Sequence, residues 1–284
     1  MKAARKLIFV VLLMLFALAL TACGDKGESE KEEETKSEAT PGQDDKKPEA
    51  TPTEAPDYPT IDWSEIPEAS EEDFKAEKAG GGVVITEYYG EGGNVKIPAQ
   101  IRGYDVVYIN EAFQDCETIT GVYIPDTVTE IRSYAFQNSK ELTYVRLPET
   151  LRAMGAQAFE GTAWLEARMA YDPLVIENGI VIEGRNCSGD VTIPEGVYMI
   201  GASAFYGCEG LTSVALPDSL ERIEIWAFAN CGNLVDITVP DGTAKVAAQI
   251  FNGSEKVSVK YKGTTYSYEE LDAWYEAHRE ANPI

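Results

Sequence analysis

The sequence predicts an α/β repeat fold: a solenoid of about 23-residue coils, each a short strand plus a 3₁₀ or helical turn, with a C-terminal capping helix. Three observations predict it. The pair Ala-Phe recurs at Ala112-Phe113, Ala135-Phe136, Ala158-Phe159, Ala204-Phe205 and Ala227-Phe228, with Ile250-Phe251 as a variant, at spacings of 23, 23, 46, 23 and 23. An apolar-Pro pair keeps the same phase at Ile124-Pro125, Leu147-Pro148, Ile193-Pro194, Leu216-Pro217 and Val239-Pro240. Within one coil, Leu142 to Leu147 ends in the apolar-polar alternation of a strand, which Pro148 closes. A fixed period of this length is the signature of stacked supersecondary units, each of which buries its apolar face only against its neighbours.

Each coil is expected to donate one strand. Downstream of Pro148, Leu151 and Met154 point inward, and Phe159 plugs the core from a tight turn. Cys116, Cys208 and Cys231 each lie three residues after a repeat phenylalanine, where Ser139, Thr162 and Ser254 stand in other coils. A slot that takes Cys, Ser or Thr wants a small, mostly buried side chain. Disulfide pairing is the alternative in an exported protein, and only Cys208 and Cys231 occupy adjacent coils. Cys187 reads as an isolated hairpin cysteine.

These motifs resemble the BspA-like leucine-rich-repeat family of bacterial surface proteins. The resemblance runs from about Val83 to Tyr261 and is carried by Val128-Thr129-Glu130-Ile131, Ala135-Phe136, Leu142-Thr143-Tyr144-Val145, Ala204-Phe205-Tyr206-Gly207-Cys208 and Leu211-Thr212-Ser213-Val214. It implies a leucine-rich-repeat solenoid, surface display and protein binding, without singling out a ligand.

The interval from Phe159 to Phe205 is two periods long. Residues 164–190 replace a coil there, and Asn178-Gly179 between two apolar runs predicts a hairpin. The solenoid is assigned to residues 71–260, with Val83-Thr86 and Val95-Ile97 as starting strands, and residues 261–284 to a hairpin and cap helix. Lys262-Gly263 marks the turn, Ser267 and Glu270 form a capping box, and Leu271, Trp274, Tyr275 and His278 share one helix face.

The amino terminus reads as an address. Lys2, Arg5 and Lys6 precede an apolar run from Leu7 to Leu20 that is shorter than the roughly 20 residues of a membrane span. Leu20-Thr21-Ala22-Cys23 resembles the bacterial lipobox, which implies a signal peptide over residues 1–22, cleavage before Cys23, and lipid attachment at Cys23. Two acyl chains, at about 0.8 kcal/mol per buried methylene, hold a protein on a membrane. Residues 23–70 are assigned to an acidic disordered linker. Its stretch from Gly24 to Asp57 carries 12 acidic and 5 basic residues and no large apolar side chain, and so cannot fold alone. As a coil it spans roughly 30 Å.

Composition narrows the function. With 48 acidic against 24 basic residues and a formal charge of -24, the chain repels polyanions, so no nucleic acid is expected. His278 is the only histidine; that excludes the ordinary Ser-His-Asp or Cys-His arrangement and any metal site built on several histidines. No cofactor motif is present, no metal is expected, and no enzyme is expected, although paired carboxylates remain an open possibility. The outward strand positions are read as Gly121 and Tyr123, Tyr144 and Arg146, then Asp190 and Thr192, Ser213 and Ala215, Asp236 and Thr238, and Ser258 and Lys260. Tyr123, Tyr144 and Arg146 form an aromatic-plus-arginine cluster of the kind found at binding hot spots. They are the ligand-binding candidates, although tyrosine is also simply a good strand residue. The expected protein is a monomeric lipoprotein outside the cytoplasm, held on the cell membrane and binding an extracellular or host protein. A glycan- or wall-binding accessory lipoprotein is the alternative.

Overall fold

A computed structural model describes residues 60–279, with side chains described as far as residue 275. Signal peptide, Cys23, the linker up to residue 59 and the His278 side chain lie outside the described residues. The linker assignment to residue 70 changes at its end. Trp63 is 9% exposed, Ala69 N–H donates to the Lys96 carbonyl at 2.8 Å, and a capped 3₁₀ turn spans Glu71–Asp73. A tryptophan and an isoleucine among acidic neighbours are enough to dock this stretch.

The first elements form the amino-terminal cap. Strands β1 (Phe74–Ala79) and β2 (Gly82–Tyr88) pair antiparallel. They are followed by β3 (Gly93–Lys96), β4 (Gln100–Ile101) and β5 (Tyr104–Ile109). Regular coils then bring β6 (Ile119–Tyr123), β7 (Glu130–Ile131), β8 (Tyr144–Arg146) and β9 (Ala153–Met154). Helix α1 (Ala163–Tyr171) and the hairpin of β10 (Val175–Glu177) and β11 (Ile180–Glu183) interrupt them. The repeat resumes with β12 (Gly189–Thr192), β13 (Met199–Ile200), β14 (Leu211–Ala215), β15 (Arg222–Ile223), β16 (Asp236–Thr238), β17 (Lys245–Val246) and β18 (Ser258–Tyr261). Antiparallel β19 (Thr264–Ser267) and α2 (Leu271–Arg279) end the described chain.

The expectation of one strand per coil is corrected to two. The apolar-Pro strands build one parallel ladder, β3-β6-β8 and then β12-β14-β16-β18. The Val-Thr-x-Ile segments build a second, through β5-β7-β9 and β11-β13-β15-β17. In this second ladder β7, β9, β13, β15 and β17 are only two residues long, too short for alternation to reveal. The hairpin turns agree with the sequence: Asn178 and Gly179 have φ 49° and 73°, and Lys262 and Gly263 φ 48° and 78°, the doubly left-handed geometry that favours Asn-Gly.

Between the ladders, the repeat phenylalanines stack. Ring centroids lie 4.8 Å apart for Phe113–Phe136, 5.0 Å for Phe136–Phe159, 5.0 Å for Phe205–Phe228 and 5.8 Å for Phe228–Phe251, all nearly parallel. Each ring contributes about 1.5–3 kcal/mol of transfer free energy. The stack is broken once. Trp164 meets Phe159 at 50°, and the core divides into two clusters whose boundary runs through the insert, with Val175, Ile180 and Met199 in the first and Val181 and Cys187 in the second.

The slot after each phenylalanine has a chemical purpose beyond smallness. Ser139 Oγ donates to the Phe113 carbonyl at 2.6 Å, Ser254 Oγ to Phe228 at 2.7 Å, and Cys231 Sγ to Phe205 at 3.1 Å. At Ser139, Cys208, Cys231 and Ser254 the slot supplies a donor for a buried carbonyl one coil back. Thr162 instead bonds the Phe159 carbonyl of its own coil and caps α1 through Leu165 N–H. Cys187 is not isolated: its N–H donates to Gly184 as Cys208 N–H does to Phe205, so it fills the slot of the replaced coil. Cys116, Cys187, Cys208 and Cys231 are free. Burial pushes the Cys187 and Cys231 thiols up to about 12 and raises Cys208 as well, leaving them protonated at pH 8. Alkylation of the native chain at pH 8 is expected to modify half-exposed Cys116 well before these three; equal labelling, read by peptide mass spectrometry, refutes their burial.

Candidate binding surfaces

The predicted face assembles as the sequence columns require. Gly121 pairs with Tyr144 and Tyr123 with Arg146 across β6 and β8; beyond the insert, Asp190, Ser213, Asp236 and Ser258 form one column. The surroundings of Tyr123, Tyr144 and Arg146 were not legible. Trp63 lies over both tyrosines, with centroids 5.6 Å from Tyr123 and 5.8 Å from Tyr144. Gly121 leaves the room beneath: a Cβ there would come within 2.9 Å of Ile61 Cδ1. Lys96 Nζ holds the Trp63 carbonyl at 3.2 Å. Arg146 sits 4.7 Å over the Tyr123 ring and makes a two-pronged bond to Asp126 at 2.7 and 3.0 Å. That bond holds the Asp126 carboxyl below its usual range. The candidate cluster is thus engaged by the chain's own amino-terminal segment and by Asp126.

A second surface arises at the break in the repeat. Gly184 takes the place of the plugging phenylalanine, its N–H donating to Ala204 O just as Phe205 N–H donates to Ala227 O. The Phe205 ring fills the vacated volume, since a Cβ on Gly184 would stand 2.3 Å from it. The turn around Gly184 separates from the preceding turn, leaving a cavity of about 400 Å³ between Gln157–Glu160 and Gly201–Tyr206. Met154, Phe159, Leu165 and Ile182 supply its apolar lining. Two rings of its lining reach solvent, Tyr206 at 50% and Trp226 at 37% exposure. Trp226 Nε1 donates to Gln249 at 3.1 Å.

Charge in this cavity is internally matched. Arg185 bonds Glu160 at 3.1 Å and also Glu183. Burial works to lower the Arg185 pKa, but its bonds to Glu183 and Glu160 outweigh it and raise the value. Glu183 further accepts the N–H groups of Gly184 and Arg185 at 3.0 and 2.9 Å. The two carboxylates therefore hold an arginine and a turn in place. Among the described residues no group of His, Cys, Asp and Glu is arranged to hold a metal ion. Sequence reasoning missed Gln157, Arg185, Tyr206 and Trp226. The available signal was the 21-residue interval from Cys187 to Cys208 in a chain of period 23.

Two parallel ladders, a phenylalanine core and a recurring small-residue slot behind it define a leucine-rich-repeat solenoid. The chain belongs to the BspA type leucine rich repeat family, whose repeat matches in six copies over residues 108–173 and 185–270, more than half its length. Among solved structures it is similar to the T. pallidum leucine rich repeat protein, at 25% identity, covering 70% of this chain and 83% of that one, with a TM-score of 0.40. It is also similar to a leucine rich cell surface protein from Faecalibacterium prausnitzii, at 27% identity over 72% of this chain and 57% of that one, with a TM-score of 0.41, so it spans little more than half of that protein's length. A search of curated proteins gives no match.

Proposed function

We propose that this protein is a non-enzymatic binding scaffold, anchored by lipid on Cys23 to the outer side of a bacterial cell membrane and monomeric there, that captures an extracellular or host protein. The observation that carries this reading is the cavity at the repeat break. It is the place where a uniform solenoid opens a concave, partly apolar surface with two solvent-reaching aromatic rings, in the size range of binding sites. The carboxylates within it are tied to Arg185, which argues for recognition over acid-base catalysis. Anchoring rests on the lipobox-like Leu20-Thr21-Ala22-Cys23 and the acidic stretch behind it.

The test presents the full, membrane-anchored chain to immobilised matrix and serum proteins beside wall polysaccharides. Saturable retention of a protein is expected. Retention of polysaccharide alone replaces the reading with wall binding, and silence on both panels at micromolar concentrations refutes it. In parallel, Cys23→Ala is expected to release the chain from the membrane fraction; a variant that stays there refutes the anchor.

A further inference from the structure

The turns of this solenoid are joined by a regular backbone ladder. In the coil before the break, Tyr134, Phe136 and Asn138 donate their N–H groups to the carbonyls of Ala156, Ala158 and Glu160 at 3.2, 2.8 and 2.8 Å. Beyond it, Phe205, Gly207 and Asn230 donate onward in the same way. The equivalent donors at the break are Gln157, Phe159 and Gly161, and none of them meets an acceptor among the described residues. Across the cavity, the carbonyls of Ala202 and Tyr206 hold the positions that Ala156 and Glu160 hold two coils earlier and receive no N–H group among the described residues, while Ala202 N–H itself donates to the Met154 carbonyl at 3.3 Å. Gln157, Phe159, Ala202 and Tyr206 all line the cavity. An unmade bond of this kind costs about 1–3 kcal/mol once water is displaced, so an occupant that excludes water must satisfy it.

We infer that this cavity binds a short loop of a partner protein, which completes the interrupted ladder by laying carbonyls on Gln157, Phe159 and Gly161 and an apolar side chain on the floor at Met154, Leu165 and Ile182. The donors stand at every second residue, the same alternation by which Tyr134, Phe136 and Asn138 take the carbonyls of a polypeptide turn. Elsewhere in the same molecule this array already takes a polypeptide turn carrying a small residue followed by an aromatic one. Recognition of this kind draws affinity from main-chain bonds and selectivity from a side-chain pocket. The inference rests on the binding-scaffold reading and specifies its partner chemistry.

The test uses the full chain and a synthetic peptide, Gly-Ala-Ser-Ala-Phe-Tyr-Gly, which copies residues 201–207. Amide hydrogen exchange is followed by mass spectrometry with and without millimolar peptide. Residues 157–161 are expected to exchange faster than 134–138 in the free protein and to slow at least about tenfold with peptide. A peptide with Ala in place of Phe is expected to give no protection. Gln157→Trp is expected to abolish protection while leaving the denaturation midpoint unchanged, because Trp226 already occupies the equivalent position at φ 59° where Gln157 has φ 56°. Absence of peptide protection at 157–161, or equal protection in Gln157→Trp, overturns the inference. A neutral oligosaccharide whose binding is lost in Gln157→Trp, with no effect of peptide, also overturns it and leaves a binding scaffold standing. Peptide protection in a chain that retains no extracellular protein upholds the cavity chemistry and refutes the proposed function.

Discussion

Phe136→Ala is expected to destabilise the protein by about 3–5 kcal/mol, the range for removing a fully buried aromatic ring. Phe136 is wholly inaccessible and is stacked on both sides, against Phe113 and Phe159. The hole it leaves is walled by two coils whose spacing is fixed by backbone ladders, so collapse recovers little. Phe251 stacks on Phe228 alone, at 5.8 Å, and Phe251→Ala is expected to cost less. Urea denaturation of the two variants measures the difference, and equal losses contradict the stacked-core account. The site of the damage is also determined. Because the core is divided through the insert hairpin into two clusters, and stability in a solenoid is a sum over neighbours, hydrogen exchange is expected to rise in residues 108–160 of Phe136→Ala before it rises in 205–260.

Trp63→Ala is expected to cost about 3 kcal/mol, the low end of the range for a buried tryptophan, and to uncover Tyr123 and Tyr144. Most of Trp63 is shielded from water although it lies on the outer face of the sheet. The diagnostic measurement is a double-mutant cycle with Tyr144→Ala. Tilted aromatic pairs at this separation couple by about 0.5–1.5 kcal/mol, and a coupling of zero means that the segment does not rest on the sheet. The same variant tests the tyrosine-arginine face as a ligand site: stronger retention of a protein by Trp63→Ala assigns recognition to that face, and unchanged retention leaves the cavity as the site.

Much of the fold was legible because a repeat declares itself several times. Phenylalanines and apolar-Pro pairs in one phase fix the coil length, and outward columns such as Gly121 with Tyr144 follow from counting. What stayed hidden was short, or depended on a single residue. In the regular coils the second ladder consists of two-residue strands. The second residue after each phenylalanine, occupied by Asp115, Asn138, Gly161, Gly207, Asn230 and Gly253, has positive φ throughout, a column of left-handed formers that was present in the sequence and went unread. Trp63 sits in a stretch whose average composition says linker, and averaging hides one ring that docks. The candidate tyrosines were correctly placed on the sheet, but periodicity carries no information about a non-repeating segment lying on top of them. At the break, only the consequence of Gly184 for its neighbours exposes the cavity.

The ladder missing after Gln157, Phe159 and Gly161 also has a mechanical meaning. Elsewhere, adjoining turns are riveted by backbone bonds and cannot slide without breaking several at once. At this seam that ladder is missing, and the two sides are tied across by single bonds such as Ala202 N–H to the Met154 carbonyl at 3.3 Å, Arg185 to Glu160 at 3.1 Å and Tyr198 Oη to the Leu151 carbonyl at 2.9 Å. A tether that pulls on one end while a captured partner pulls on the body would concentrate its strain here, and a loop wedged into the seam would stiffen the joint that bears the load.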